Sequence, residues 1–259
     1  MSKYQNLLDF LRKYKRIGVS YSGGSDSTLL LKASADAIGA ENVFAFTADT
    51  DFFTGDELGF AKKFCRSIGI KHFAVKIRML EDNDIVSNGP ERCYYCKKRI
   101  MSHLVEMAKD KGCDVLLEGT EANAEAVEPK PGMKATREFG LVSPLYEVGI
   151  TRNEVADILR ELGLRRYILP ENPCLATRVE IGTRIDTRNL RAVCALETML
   201  HRLGFDFVRV RITKDGTRIE VPEERFSDLL SQKDYLTEEF SAFGFPNVDF
   251  AVYKRIERC

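Results

Sequence analysis

The sequence has no excess of charge of either sign and no long apolar run. Its 259 residues include 39 Lys and Arg against 39 Asp and Glu, so it lacks the overall basic field that drives nonspecific binding to nucleic acids. Nowhere do about 18 apolar residues follow one another, as a membrane-spanning helix would require. Residues 1–16 are amphipathic and lack an apolar run of signal-peptide length. We therefore expect a cytoplasmic protein with no membrane partner and no nucleic-acid partner.

The chain also lacks internal repeats and low-complexity segments, and its 44% hydrophobic content is sufficient for a full core. Seven cysteines are present: Cys65, Cys93, Cys96, Cys113, Cys174, Cys194 and Cys259. Thiols stay reduced in the cytosol, so we do not expect a disulfide framework. We interpret Cys65, Cys113 and Cys194 as core residues, and the cysteines that lie in motifs as candidate ligands.

The first half of the chain alternates short β-rich runs with amphipathic helical stretches, the pattern of a parallel sheet wrapped by helices. The predicted strands are 17–21, 43–48, 72–77 and 114–118. The predicted helices are 28–38, 56–68, 92–111 and 151–163, and Gly39, Gly69 and Gly112 lie where helix C-caps belong. This pattern predicts an α/β domain over residues 1–170.

The pattern changes after a Pro-, Gly- and Arg-rich stretch at 167–185, which we interpret as a linker or working loop. A helix at 187–203 is followed by alternating residues at 205–212, Asp215-Gly216 and a second run at 218–221, which is a strong hairpin signal. A helix at 222–240 and a strand at 248–256 follow. We predict a smaller α+β domain over residues 171–259.

A run of six small residues, Ser22-Gly23-Gly24-Ser25-Asp26-Ser27, lies between the first predicted strand and the first helix. The glycines let the backbone approach an anion, and the helix N-terminus supplies positive potential. The Walker lysine and the Rossmann glycine spacing are both missing. An ordinary βα turn would explain one glycine and one cap, but hardly all six residues. Asp49, after the second strand, either lies beside the same ligand or caps the strand end.

Two cysteine motifs follow. Cys93 and Cys96 open a helix at i,i+3 spacing, so both sulfurs share a face of its first turn, where redox, zinc-binding and half-buried roles are all plausible. Cys174 lies in a loop beside Pro173 and Arg178. An exposed, electropositive thiolate and a buried structural cysteine are the two interpretations of Cys174. His72 or His103 could complete a zinc site with three cysteines, whereas a [4Fe–4S] cluster on three cysteines leaves one iron open.

The six-residue loop resembles the PP-loop of the ATP-pyrophosphatase superfamily. The resemblance implies a PP-loop adenine-nucleotide α-hydrolase-like parallel sheet, and cleavage of ATP to AMP and pyrophosphate with Mg²⁺ as cofactor. It also implies an adenylated substrate that a sulfur or nitrogen nucleophile displaces from AMP. The residues implied in nucleotide binding are Ser22, Gly23, Gly24, Ser25, Asp26, Ser27, Asp49, Gly119 and Thr120, and Asp26 is also implied in catalysis.

The whole chain resembles the LarE family through its ordered motifs: the PP-loop, RCYYCK from Arg92, EGT from Glu118, SPL from Ser143, CLATR from Cys174, and RVR from Arg209. The resemblance implies sulfur insertion into the carboxylates of pyridinium-3,5-biscarboxylic acid mononucleotide, in nickel-pincer nucleotide biosynthesis. It implies a homo-oligomer and, in the three-cysteine type, a [4Fe–4S] cluster on Cys93, Cys96 and Cys174 that takes sulfur from sulfide or another donor. Cys174 would then be catalytic, and the implied substrate-binding residues are Arg178, Glu197, Arg209 and Arg211.

The sequence departs from the family pattern after Gly119-Thr120, where Glu121 to Glu125 replace an Asn and paired Asp residues, and at Lys130-Pro131-Gly132, where the family has Arg-Pro-Gly. We expect this segment to contact substrate or metal. Three alternatives remain open. They are a tRNA-thiolating enzyme of the same superfamily, a sulfurtransferase that sacrifices the sulfur of Cys174, and an iron–sulfur or zinc carrier with a vestigial PP-loop.

Overall fold

The computed structural model describes residues 2–53, 57–123, 131–170 and 172–254. By their contacts these residues form two compact units. The first unit contains the described residues up to 77 and those from 93 to 172, and the second contains 78–92 and those from 173 onward. The domain boundary predicted from the sequence, after residue 170, would place 78–92 in the first domain. The contacts instead group this segment with the second unit. Its side chains bond to residues 176–183 of that unit.

The described helices and strands follow one another as an α/β array and then an α+β array. The α-helices are α1 (Lys3–Leu11), α2 (Ser25–Ile38), α3 (Glu57–Ser67), α4 (Asn83–Val86), α5 (Arg92–Asp110), α6 (Pro131–Glu138), α7 (Pro144–Glu147), α8 (Arg152–Glu161), α9 (Thr187–Arg202), α10 (Phe226–Ser231) and α11 (Lys233–Ala242). The strands are β1 (Ile17–Ser20), β2 (Val43–Thr50), β3 (Lys71–Ile77), β4 (Val115–Leu117), β5 (Arg209–Ile212), β6 (Thr217–Val221) and β7 (Val248–Val252). The predicted α/β class is confirmed.

The first unit is built on a four-stranded parallel sheet in the order β3-β2-β1-β4. Gly18 in β1 allows close packing, since a Cβ there would lie 2.9 Å from the Phe46 ring. Helix α2 packs against β1, β2, α1 and α8. A helix covered on several sides must be apolar over most of its circumference, and Leu29, Leu30 and Leu31 are accordingly all buried. The four predicted strands are confirmed, with ends shifted by up to two residues.

Helix α2 begins at Ser25, which corrects the predicted start at Thr28. Gly24 has extended backbone angles and caps the helix, and its carbonyl accepts a hydrogen bond of 2.9 Å from the Thr28 N–H. The second half of the six-residue loop is therefore the first helical turn. The helix ends at Gly39, whose φ of +86° is the left-handed conformation expected of a C-cap glycine.

The second unit contains a three-stranded sheet in the order β5-β6-β7. Strands β5 and β6 form the predicted antiparallel hairpin, with Arg209 opposite Glu220 and Arg211 opposite Arg218. The single helix predicted at 222–240 is wrong. The chain forms a 3₁₀ turn at Glu223–Arg225, then α10 and α11, which are separated by the nonhelical Gln232. The break is compatible with burial of Leu229, Leu236 and Phe240. Residues 255 and 256 of the last predicted strand lie outside the described residues.

None of the helices in the described part of the chain combines the length and the apolar character that crossing a membrane demands.

Candidate functional site

The PP-loop connects β1 to α2 at the carboxyl edge of the parallel sheet, which is where open α/β sheets bind ligands. Gly23 has a φ of +82°, so the loop requires the left-handed conformation that glycine adopts without strain. The hydroxyls of Ser22 and Ser27 lie 3.1 Å apart, and that of Ser27 donates to the Gly24 carbonyl over 3.1 Å. The loop is thus held in shape by its own side chains. The first backbone N–H groups of α2 have no acceptor within the helix, as at any helix N-terminus.

Ser25 has a different task within the loop. Its hydroxyl donates to the Tyr167 carbonyl over 3.0 Å and accepts from the Leu169 N–H over 2.9 Å. These bonds fasten the first turn of α2 to the chain that follows α8. Ser25 therefore anchors the loop, whereas the carboxylate of Asp26, one residue later, has an oxygen without a hydrogen-bond partner among the described residues.

Asp26 carries the chemical signature of a cation site. Its Oδ2 lies 3.4 Å from Nη2 of Arg152, while its Oδ1 is buried without a hydrogen-bond partner among the described residues. Burial raises the pKa of Asp26, Arg152 opposes the shift, and the carboxylates of Glu121 and Glu118 add to it. Such an orphaned carboxylate oxygen in a negative environment fits Mg²⁺, which proteins hold through one or two carboxylates together with substrate phosphates.

The end of β4 approaches the PP-loop from the other side. A Cβ at Gly119 would lie 2.9 Å from the backbone nitrogen of Ser27, so only glycine lets the two segments meet. Glu118 is buried and accepts hydrogen bonds from Ser143 Oγ, from Thr120 N at 3.2 Å and from Thr120 Oγ1 at 2.8 Å. Glu118 therefore fixes the turn that carries Gly119 and Thr120. Glu118 is not among the residues predicted from the sequence for this site, although a carboxylate at the end of a buried strand was the available signal.

Asp49 is half-buried near the end of β2, three residues beyond the Phe46 that pairs with Ser20 of β1. It is thus at the same edge of the sheet as the PP-loop. Lys97, one residue after Cys96 on α5, reaches toward this edge as well, with its Nζ 3.8 Å from Glu118 Oε2. The first unit thereby brings together the predicted nucleotide residues Ser22 to Ser27, Gly119 and Thr120 at one edge of its sheet.

The Cys-x-x-Cys pair lies in the first turn of α5, as predicted, and both residues are half-buried. Cys93 is disulfide-bonded in this structure, which departs from the expectation of reduced thiols, whereas Cys96 and Cys174 form no disulfide. Over the described ranges, no group of three or more His, Cys, Asp or Glu side chains has an arrangement that could hold a metal ion. Burial raises the pKa of Cys65 to about 12 and that of Cys113 to about 11, which suits unreactive structural thiols.

In the second unit, half-buried Cys174 directly precedes a 3₁₀ turn, Leu175–Arg178. Besides the backbone bonds of this turn, side chains bind the carbonyls around Cys174. Thr177 Oγ1 donates to the Cys174 carbonyl over 2.7 Å and Arg178 Nη1 to that of Pro173 over 2.7 Å. Arg211 Nη1 donates to the Thr177 carbonyl over 2.8 Å and Arg92 Nη1 to that of Ala176 over 3.0 Å. We call residues 173–178 the Cys174 segment.

Buried arginines and glutamates surround this segment. Arg178, predicted as an anion contact, is 1% exposed, and its Nε bonds to Glu197 Oε1 at 3.0 Å. The same oxygen of Glu197 accepts from the Val210 N–H at 3.0 Å, so the pair joins the Cys174 segment to β5. Both groups are thus occupied within the protein. Arg178 and Glu197 therefore stabilise the packing of the Cys174 segment against β5, in addition to any contact with substrate.

Strand β5 places Arg209 and Arg211 two residues apart. Arg211 Nε bonds to Glu220 Oε2 at 2.9 Å, and the Arg209 guanidinium lies 4.4 Å from the centre of the Phe207 ring. Burial lowers the pKa of Arg209, and the positive charge of Arg178 lowers it further. With Arg178, the three guanidinium groups outnumber the carboxylates of Glu197 and Glu220 by one. The excess positive charge makes the cluster suitable for an anion such as a phosphate.

The fold and its two polar sites define a PP-loop α/β protein, and comparisons with known proteins agree. The asparagine synthase family model matches residues 9–124. Pyridinium-3,5-bisthiocarboxylic acid mononucleotide synthase of Lactiplantibacillus plantarum is 34% identical over 244 residues, covering 94% of this chain and 88% of the relative. The chain belongs to this synthase family, the LarE family.

Two uncharacterized proteins are similar over nearly their full length. The first, from Synechocystis sp., is 34% identical over 246 residues, which are 94% of this chain and 91% of the relative. The second, from Methanocaldococcus jannaschii, is 29% identical over 246 residues, which are 95% of this chain and 93% of the relative. The similarity therefore extends through both units and is not confined to the PP-loop region.

Proposed function

We propose that this chain is an ATP-dependent sulfurtransferase that converts carboxylates of a pyridinium mononucleotide into thiocarboxylates, in nickel-pincer nucleotide biosynthesis. Its L. plantarum relative is named for making pyridinium-3,5-bisthiocarboxylic acid mononucleotide. The observation that carries the proposal is the PP-loop, where a glycine-bent turn and a helix N-terminus adjoin a buried carboxylate oxygen of Asp26 without a partner among the described residues.

The reaction needs activation because a carboxylate oxygen is a poor leaving group. In the first step, an oxygen of the substrate carboxylate attacks the α-phosphorus of ATP, and pyrophosphate leaves. In the second, a sulfur nucleophile attacks the acyl carbon, and AMP leaves with the former carboxylate oxygen. The N–H groups at the start of α2 would bind the phosphates. Asp26 would hold Mg²⁺, which neutralises phosphate charge.

The arginine cluster of the second unit is the proposed site for the substrate phosphate. Arg209 lies among other cations, and the guanidinium of Arg211 has donors beyond those bonded to Glu220 and Thr177. A phosphate is recognised by such paired guanidinium groups through charge-assisted hydrogen bonds. Arg178 and Glu197, which pair with each other, would brace this site in addition to any contact with the substrate.

For sulfur delivery we propose one [4Fe–4S] cluster ligated by Cys93, Cys96 and Cys174. Cys93 and Cys96 share a helical turn, and the Cys174 segment is immobilised by hydrogen bonds, as a ligand position requires. When bound, the cluster would supply an iron without a cysteine ligand, at which sulfide from an external donor can bind. Cys93 must be a thiolate for this role, so its disulfide must first be reduced. Family resemblance further favours a homo-oligomer.

Product analysis tests the nucleotide chemistry. The chain is incubated with ATP, Mg²⁺, sulfide and the dicarboxylate mononucleotide, and the nucleotides are separated and quantified. AMP and pyrophosphate should form together with the thiocarboxylate. ADP as the product would contradict adenylation, and turnover with unmodified tRNA in place of the mononucleotide would favour the tRNA-thiolating alternative.

Iron content and protein mass test the sulfur chemistry. Anaerobic reconstitution under reducing conditions should give about four irons per chain and a broad absorption near about 400 nm. Cys93→Ala, Cys96→Ala and Cys174→Ala should each abolish this signal, whereas Cys194→Ala, on α9, should retain it. The protein mass should be unchanged after turnover. A loss of about 34 Da would show instead that Cys174 gives up its sulfur and becomes dehydroalanine.

A further inference from the structure

Residues 78–92 contain a buried asparagine in an unusual conformation. Asn88 has a φ of +56° and no exposed surface. Its Nδ2 donates to the carbonyls of Val179, Glu180 and Thr183 at 3.2, 2.8 and 2.9 Å, and its own carbonyl accepts from the Gly182 N–H at 3.0 Å. Asn tolerates the left-handed region better than most residues, and here its amide is used fully. Asn88 thus fastens 78–92 onto the chain just after the Cys174 segment.

The orientation of the Asn88 amide follows from its surroundings. Three carbonyls face one end of the amide, so that end must be the NH₂ group, and Oδ1 must point the other way. There it accepts a hydrogen bond of 2.6 Å from Nη1 of Arg92. The same nitrogen donates to the Ala176 carbonyl over 3.0 Å. Asn88 therefore aims the guanidinium of Arg92 at a carbonyl two residues beyond Cys174.

We infer that Arg92, oriented by Asn88, is a positioning residue that holds Cys174 in place for sulfur transfer. Arg92 is 5% exposed, and a buried guanidinium is costly unless its hydrogen bonds are made, which favours one fixed arrangement. The Cys174 segment has no strand ladder over residues 175–178, and its 3₁₀ turn has backbone bonds from Thr177 N to the Cys174 carbonyl at 2.9 Å and from Val179 N to that of Ala176 at 3.3 Å. Side chains that bind the same carbonyls therefore add to the bonds that set its geometry. Arg92 binds this segment from outside it and from outside the proposed phosphate site.

The chain position of Arg92 adds weight to the inference. Arg92 is the first residue of α5 and directly precedes Cys93, a candidate cluster ligand. Its side chain bonds to Ala176, in the segment that contains Cys174, a second candidate ligand. The RCYYCK motif alone suggests that Arg92 merely adds positive charge near Cys93. The structure shows its guanidinium turned to Asn88 and Ala176.

The inference deepens the proposed function and rests on it only for the activity measurement. Arg92→Met removes the hydrogen bonds while keeping much of the apolar volume, and Arg92→Lys keeps a donor. Asn88→Gly keeps the left-handed backbone but removes the amide. Arg78→Met is the matched control, because Arg78 lies in the same segment, is 70% exposed and pairs with Glu81.

Two readouts are compared. In the first, the reduced, metal-free full chain is treated with iodoacetamide, and alkylation of Cys174 and of buried Cys65 is followed by peptide mass spectrometry. Arg92→Met should speed alkylation of Cys174 about tenfold, the effect of losing one charge-assisted hydrogen bond, and leave Cys65 protected. Asn88→Gly should act in the same direction, Arg92→Lys should be intermediate, and Arg78→Met should match the unmodified chain.

The second readout is single-turnover sulfur transfer by the reconstituted enzyme. Arg92→Met should slow transfer by about 100-fold, as for a reacting group displaced by about 1 Å, while pyrophosphate release and the KM for ATP stay unchanged. Cys174 alkylation within about twofold of the unmodified chain in both Arg92→Met and Asn88→Gly, with Cys65 protected, would overturn the inference. Exposure of Cys65 in every variant would also overturn it, because the contact would then be a general requirement for folding. If the unmodified chain forms no thiocarboxylate, the proposed function fails, but the alkylation readout still decides the role of Arg92.

Discussion

The PP-loop and the Cys174 segment are both short irregular stretches, but they treat their polar groups in opposite ways. At the PP-loop, Asp26 Oδ1 has no partner among the described residues, and the helix N-terminus has open N–H groups. In the Cys174 segment, the carbonyls of residues 173, 174, 176 and 177 all accept hydrogen bonds from side chains. A site that receives a charged ligand must keep polar groups available, whereas a site that delivers an atom must hold it still.

The two regions also differ in charge. Around the PP-loop, among the described residues, the carboxylates of Asp26, Glu118 and Glu121 outnumber the two cations, Arg152 and Lys97, by one. Guanidinium groups dominate around the Cys174 segment, where Arg178 and Arg211 act on Arg209. The first environment suits a metal–nucleotide complex and the second suits a phosphate ester. If the proposed division is correct, substitutions in one region should leave the chemistry of the other intact.

The largest effect should come from Cys174. Cys174→Ala should abolish thiocarboxylate formation while pyrophosphate is still released, because adenylation precedes sulfur attack and the thiol is absent from the proposed nucleotide site. Separate quantification of pyrophosphate and thiocarboxylate checks this, with Cys194→Ala of the same unit as control. Equal loss of both products would contradict the division between the two regions.

The next largest effect should come from Asp26. Asp26→Asn should reduce AMP formation by at least about 100-fold, the typical effect of removing one electrostatic contact to the reacting groups. Cys174 alkylation should be unaffected, since that segment is held by other residues. Asp157→Asn, on the exposed face of α8, is the control. Full AMP formation by Asp26→Asn would remove this carboxylate from the site.

The same substitution has a pH-dependent effect on stability. Burial raises the pKa of Asp26 above its ordinary value of 3.8, so the folded chain binds this proton more tightly than the unfolded chain. The associated stability is complete below pH 3.8 and is lost as pH rises through the raised pKa. Asp26→Asn should therefore raise the Tm of the nucleotide-free protein at pH 7 to 8. The expected rise is about 2–4 °C for each kcal/mol gained in the free energy of unfolding. The gap should close on acidification, and a gap that is constant with pH would contradict this origin.

A smaller effect is expected at the proposed phosphate site. Arg209→Ala should weaken mononucleotide binding by about 1.5–3 kcal/mol, the value of one ionic hydrogen bond, with ATP binding unchanged. Arg211→Ala should do the same, but it also leaves Glu220 without its ion pair with Arg211. Arg218→Ala, on the same hairpin and paired with Asp249, is the control. Calorimetric titration with unchanged affinity for both variants would exclude the cluster as the phosphate site.

The smallest effect should come from Gly119. Gly119→Ala would place a Cβ 2.9 Å from the Ser27 nitrogen, forcing the first turn of α2 to shift. Overpacking of this kind costs about 1–3 kcal/mol and should raise the KM for ATP while leaving Cys174 alkylation unchanged. Gly59→Ala, in helix α3 where a Cβ would meet nothing within 4 Å, should be neutral or slightly stabilising. Thermal unfolding and ATP titration of the two variants check the contrast.

Local sequence signals determined much of this protein. The strand-loop-helix order around the PP-loop, the Asp215-Gly216 hairpin and the helical Cys93–Cys96 pair all depend on neighbours within a few residues, and the structure contains each of them. Glycines 39, 69 and 112 could be predicted as helix ends for the same reason, since many helices end at a residue with positive φ and glycine adopts it without strain. The start of α2 was misplaced because Ser25, Asp26 and Ser27 resemble loop residues until Gly24 is recognised as the cap.

Only the tertiary structure decided what the charged residues touch. Arg92 contacts the carbonyl of Ala176, 84 residues away, and Arg178 pairs with Glu197, 19 residues away. Residues 78–92 belong with the second unit, although the chain runs from them straight into α5. A guanidinium has five donors on a long flexible stem, so sequence shows that it will bind something polar but not which carbonyl or carboxylate. That choice is made when distant segments pack together, because buried charges must be paired wherever the fold brings partners within reach.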